Sequence, residues 1–164
     1  LNPAKPAHRL LGVFDPKYIT RIGNALRENG TSHGMIVHGH LAKEKVKGVD
    51  ELTACGDNSV FAFGRMESEG IETWSPSKWN QNTFDFADLK GGDLDENLRI
   101  MERALSADCR PGLLATILIN AATAFLVCGK VASFEEGIDL SQSLLKGGRV
   151  RKWLEEVRNF FAKR

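Results

Sequence analysis

The chain lacks both common nucleotide-cradling signatures, since neither G-x-G-x-x-G nor G-x-x-x-x-G-K-[ST] occurs in its 164 residues. It lacks a dominant charge: 22 Lys and Arg against 21 Asp and Glu leave +1, which gives no global field for nucleic acid or an anionic membrane. It lacks a disulfide or zinc-ribbon framework. The 3 cysteines (Cys55, Cys109, Cys128) are odd in number and contain no C-x-x-C pair, as expected of reduced thiols in a cytoplasmic protein. No signal peptide is recognisable, and the most apolar stretch, Leu113 to Cys128, is too short and too interrupted for a membrane span. Internal repeats, low-complexity tracts and composition shifts are missing too, so residues 1–164 read as a single domain. The first residue is Leu1 rather than Met, and we expect a truncated chain.

What is present is an α/β pattern. Leu10–Phe14 is a short apolar run that reads as a buried strand. Asp15 and Pro16 make a helix start, with a side-chain acceptor at the cap and a residue without N–H at the first position. Ile19, Ile22 and Leu26 share a helical face, and Asn29-Gly30 is the stop. Gly34–His38 is a second apolar strand, so the unit is strand–helix–strand with parallel strands and a right-handed crossover. Residues 59–66 and 71–74 predict an antiparallel hairpin turned by Glu67-Ser68-Glu69-Gly70 and ended by Ser75-Pro76. Residues 78–90 read as irregular or a short helix.

Helices follow. Asp93 and Glu96 predict a capping box for a helix with the apolar stripe Leu94, Leu98, Met101 and Leu105. The next helix runs from Leu113 to Cys128, and its polar residues Thr116, Asn120 and Thr123 share one face. These are read as satisfied hydrogen bonds inside a helix-packed core. Ser133 and Glu136 predict a second capping box, for a helix broken at Gly147-Gly148. Val150, Trp153, Leu154, Val157, Phe160 and Phe161 predict a final amphipathic helix whose Trp and Phe stripe packs on the domain. Its basic residues (Arg149, Arg151, Lys152, Arg158, Lys163, Arg164) suit its carboxyl end better than a membrane surface.

The leading candidate for chemistry is Asp50-Glu51, on the loop beyond the second strand, where open α/β sheets place their ligands. Adjacent hard carboxylates suit a partly hydrated Mg²⁺, which takes one or two protein carboxylates and completes its shell with water and substrate phosphates. The plainer alternative is a solvated acidic loop. His38 and His40 with Asp50 offer a zinc set, although no fixed spacing or cysteine supports it. Gly91-Gly92-Asp93 is a poor phosphate cradle, because Asp93 competes with an anion for the same N–H groups. Cys55 has no assignable activating base and is a packed or loop thiol by default.

Taken in order, Leu1-Asn2-Pro3-Ala4, Gly12-Val13-Phe14-Asp15-Pro16, Val37-His38-Gly39, Asp50-Glu51, Gly91-Gly92-Asp93, Glu96-Asn97, Asn120-Ala121-Ala122 and Gly129-Lys130 resemble the carboxyl half of the anthranilate phosphoribosyltransferases. The resemblance implies the carboxyl part of a nucleoside-phosphorylase-like α/β domain, with parallel strands, an antiparallel addition and flanking helices. It implies transfer of phosphoribose from phosphoribosyl pyrophosphate to anthranilate in tryptophan biosynthesis, by a cytoplasmic homodimer when complete. It implies that Asp50 and Glu51 bind Mg²⁺ associated with the pyrophosphate. The alternatives are a non-catalytic half-domain, or a related transferase with another acceptor.

The family's Gly-Thr-Gly-Gly-Asp diphosphate loop, its Lys-His-Gly-Asn segment and its anthranilate-contacting arginine belong to the amino half and do not occur in this sequence. The chain alone is therefore expected to be inactive and, with its sheet surface bare, poorly soluble or partly disordered. The link from His40 to Val49, with Lys43, Glu44, Lys45 and Lys47, is longer and richer in lysine than the family's usual one.

Overall fold

The structure is a computed structural model that describes residues 3–41, 48–79 and 83–162. Leu1, Asn2, Lys43, Glu44, Lys45, Lys47, Lys163 and Arg164, named above, lie outside the described residues. The elements run β1 (His8–Gly12), α1 (Ile19–Glu28), β2 (His33–His40), β3 (Gly48–Val49), β4 (Asn58–Phe63), β5 (Glu72–Trp74), α2 (Leu94–Ala104), α3 (Pro111–Val127), α4 (Phe134–Lys146) and α5 (Arg149–Ala162). One sheet has the order β1-β2-β4-β5, and β3 also pairs with β2.

β1 and β2 are parallel, with Leu10 opposite Met35 and Gly12 opposite Val37. β1 starts and ends two residues before the apolar run Leu10–Phe14 suggests, although Val13 N–H still donates to Val37 O at 2.9 Å. Asp15 caps the helix start by accepting from Lys17 N–H at 3.0 Å, and Pro16–Tyr18 form a 3-10 turn that runs into α1. Asn29 and Gly30 (φ 84°) end α1. β4 runs antiparallel to β2 and β5 antiparallel to β4, as the hairpin reading requires.

β2 is apolar on both faces because it is covered on both. Met35 and Val37 join Val60, Ala62, Ile119, Ala122 and Leu126 in one cluster, under α3 and α4. Ile36, between them, joins Ile19, Leu26, Phe61 and Phe63 under α1. Alternate side chains of a strand point to opposite faces, so the sheet is the middle layer of three.

Four helical expectations need correction. Asp93 Oδ1 caps α2 through Glu96 N–H at 2.9 Å, but the Glu96 carboxylate accepts from Arg99 at 3.2 Å instead of closing the box. In the second box, Ser133 Oγ accepts from Glu136 N–H, while Glu136 reaches back one residue further, to Ala132 N–H at 2.8 Å. The α2 stripe is not core: Leu94 is 73% exposed, and Leu98 and Met101 are exposed as well. The Trp and Phe of α5 are not buried against the domain as a core stripe either. Trp153, Phe160 and Phe161 are 62%, 55% and 65% exposed, and only Val150, Leu154 and Val157 are partly covered. Helical periodicity identifies an apolar face but not what covers it.

Candidate functional site

Asp50 and Glu51 stand at the carboxyl ends of β1 and β2. The chain reaches them through β3, which pairs antiparallel with β2: Gly39 is opposite Val49 and His40 opposite Gly48. Gly39 is also opposite Asn58 of β4, so β3 must lie on the β1 side of β2, continuing the line where β1 stops. Two glycines allow this close stacking. A Cβ on Gly12 would fall 1.4 Å from Asp50 O, and one on Gly39 would fall 2.7 Å from Glu51 O. The strand ends therefore touch the backbone of the acidic dipeptide with no side chain between them.

The segment that follows is held residue by residue. Leu52 N–H donates to Asn120 Oδ1 at 3.2 Å, and Leu52 O accepts from Asn120 Nδ2 at 2.7 Å. Thr53 N–H donates to Asn58 Oδ1 at 2.7 Å, and Thr53 O accepts from Asn58 Nδ2 at 3.1 Å. Ala54 N–H donates to Thr116 Oγ1 at 3.1 Å. Leu52, Thr53 and Ala54 are fully buried, so backbone groups that cannot reach water are paired with side chains instead. The polar stripe of α3 is thus satisfied, as its spacing suggests, but Thr116 and Asn120 bind this acidic segment rather than another helix. Thr123 Oγ1 bonds within α3, to Ile119 O at 2.7 Å, and Asn120 Nδ2 also donates within it, to Thr116 O at 2.8 Å. The pair is not on a free loop: its backbone is flanked by β3 on one side and by the held segment on the other.

Both acids are exposed. Partial dehydration, followed by the like charge of Asp50, raises the Glu51 carboxyl above its ordinary value. Among the described residues no cationic side chain lies within ion-pair distance of either acid. Two hard oxygen donors whose mutual repulsion lacks a local counter-charge suit a hydrated divalent cation.

The zinc alternative fails. His38 is buried, and its Nδ1 lies 2.8 Å from Val13 O. His40 Nε2 lies 2.7 Å from Ser59 Oγ, and burial, followed by the nearby His38, lowers its pKa. Among the described residues no group of three or more His, Cys, Asp or Glu side chains is placed to hold a metal. The two rings meet edge to face at 4.8 Å and form part of the packing under the site.

The other candidates keep their plainer readings. Gly91-Gly92-Asp93 is a structural turn. Asn97 closes it by accepting from Gly92 N–H at 3.0 Å and donating to Gly92 O at 2.9 Å. Burial pushes the Cys55 thiol up, away from nucleophilic use, and all three cysteines are free. Arg151 of α5 donates to Glu102 O and Ser106 Oγ. Among the described residues no helix is long and apolar enough to cross a membrane.

Sequence reasoning found the acids but missed Asn58 and the purpose of Asn120. The available signals were Asn120 within an otherwise apolar helix, and Asn58 as a buried amide opening a β-rich strand.

Anthranilate phosphoribosyltransferase of Petrotoga mobilis is 31% identical over 97% of this chain and 44% of its own length. The Rubrobacter xylanophilus enzyme of the same name is 33% identical over 94% and 43%. The chain thus spans less than half the length of these relatives. The crystal structure of anthranilate phosphoribosyltransferase from Thermus thermophilus superposes with a TM-score of 0.80 at 30% identity, over 94% of this chain and 43% of that one. The Saccharomyces cerevisiae enzyme in complex with PRPP and Mg shares the fold, with a TM-score of 0.75 at 22% identity over 90% and 40%. The glycosyl transferase family, a/b domain, matches residues 1–151, and the chain belongs to that family.

Proposed function

We propose that this chain is the carboxyl half of the catalytic α/β domain of an anthranilate phosphoribosyltransferase, a cytoplasmic homodimer when complete. In this reading the enzyme transfers phosphoribose from phosphoribosyl pyrophosphate to anthranilate. The observation that carries it is the acidic pair at the carboxyl ends of β1 and β2, on a chain that matches anthranilate phosphoribosyltransferases along nearly its whole length and less than half of theirs. Asp50 and Glu51 would hold Mg²⁺ on the pyrophosphate side of the cleft. When bound, the metal supplies neutralisation of the charge that builds on the departing pyrophosphate. The protein limits where that neutralisation occurs, because β3 and the held segment position the backbone on either side of the two acids. Anthranilate, itself an anion, is repelled by these carboxylates and binds elsewhere, on groups contributed by the amino half.

The test is a transferase assay of this chain alone and of the chain joined to a family amino half. The chain alone should show no anthranilate-dependent consumption of phosphoribosyl pyrophosphate, and the joined protein should. A joined, folded protein that binds phosphoribosyl pyrophosphate but accepts only another nucleophile would move the assignment to a different acceptor. One that binds neither substrate would point to a non-catalytic half-domain.

A further inference from the structure

Leu52, the residue after the acidic pair, is held by a residue 68 positions away in sequence. Asn120 projects from α3 and uses its whole amide. Oδ1 accepts from Leu52 N–H, and Nδ2 donates both to Leu52 O at 2.7 Å and to Thr116 O at 2.8 Å. Leu52 directly follows Glu51. The amide orientation is fixed by this network, because an N–H must meet an acceptor and a C=O a donor. The bond to Thr116 O ties the amide to its own helix, so α3 presents a preset fork to the segment. A side-chain amide pairing with both polar groups of one residue imitates a strand neighbour at a place where no strand lies.

On the reading that Asp50 and Glu51 bind magnesium, we propose that Asn120 is the positioning residue of that site. It touches neither metal nor substrate. It fixes the plane and depth of Leu52 and hence the direction of the Glu51 carboxylate. Thr116, one helical turn earlier, plays the same part more weakly through its single bond to Ala54 N–H. Groups that orient metal ligands typically change metal affinity about 10–100-fold when removed.

The test is Mn²⁺ titration of the chain joined to a family amino half, with inorganic pyrophosphate present, followed by paramagnetic broadening of backbone amide NMR signals of residues 48–54, with thermal unfolding measured in parallel. Asn120→Ala should weaken Mn²⁺ binding about tenfold, with folding retained, because alanine suits a helix interior. The control is Asn97→Ala, which deletes the similar fork on Gly92, away from the acids. It should lower the melting temperature and leave Mn²⁺ affinity unchanged. Thr116→Val removes the Ala54 bond at nearly constant volume and should weaken binding measurably, by less than Asn120→Ala does. It carries the test if Asn120→Ala does not fold.

If the joined parent binds Mn²⁺, Asp50→Ala/Glu51→Ala abolishes that binding, and the folded Asn120 and Thr116 variants bind like the parent, the positioning role is overturned while the metal site stands. If the parent shows no broadening centred on residues 50 and 51, or keeps it in the double variant, the metal reading itself is overturned.

Discussion

Gly12→Ala tests whether the stacking of β1 on the acidic dipeptide matters. The added methyl would start 1.4 Å from Asp50 O, whereas ordinary contact begins at 3.4 Å, so strand end and dipeptide must separate by about 2 Å. Gly12 opposes Val37 in the parallel pairing, and Val13 N–H still bonds Val37 O, so β1 is anchored. The dipeptide is the part that yields. Overpacking of this kind costs about 1–3 kcal/mol, which lowers the melting temperature of a chain this size by about 2–12 °C and leaves it folded at about 20 °C. The functional loss is of similar size in free energy, because a misplacement of about 1 Å in an active site can cost about 100-fold. Mn²⁺ binding and magnesium-dependent turnover in the joined enzyme should therefore fall about 100-fold or more. Gly70→Ala is the control, since a Cβ there meets nothing within 4 Å, and it should change neither. A folded Gly12→Ala protein with parental Mn²⁺ affinity and turnover would refute the idea that this contact sets the position of Asp50.

Two other outcomes follow from the same geometry. Asn58 is fully buried and bonds Thr53 N–H, Thr53 O, Gly56 O and Trp74 O, so Asn58→Ala should lose about 2–4 kcal/mol, measured by urea denaturation. The raised pKa of Glu51 means that its ionised form is disfavoured in the folded chain. That cost is absent below its ordinary value of 4.5 and fully present above the raised folded-state value, so stability falls as pH rises between the two. Glu51→Gln should accordingly raise the melting temperature at about pH 7 relative to the parent, and the difference should vanish by about pH 4. An equal difference at both values would exclude the ionisation as its cause.

Local signals in the sequence were legible wherever one stretch of chain decides its own structure. The Asp15-Pro16 start, the Asn29-Gly30 stop, the apolar β2 and the β4–β5 hairpin depend on neighbouring residues, and they form as expected. The acidic pair was legible as a candidate, from residue type and its place after a strand. The structure that holds it was not, because Asn120 and Thr116 reach it across 68 and 62 residues, and neither period nor capping pattern encodes such a partner. β3 escaped notice for a related reason: Gly48-Val49 is a strand only because β2 offers it a free edge beyond the end of β1. The α2 and α5 stripes misled in the opposite sense. Leu94, Leu98, Trp153, Phe160 and Phe161 have helical spacing, yet they are exposed.

The central claim is that Asp50 and Glu51 hold the magnesium that serves the pyrophosphate. It is tested most directly by a magnesium titration of turnover in the joined enzyme carrying Asp50→Ala/Glu51→Ala, with anthranilate binding measured alongside. Turnover should fall, its dependence on magnesium should weaken, and anthranilate affinity should change little. A double variant whose rate follows the parent's curve at every magnesium concentration would contradict the account.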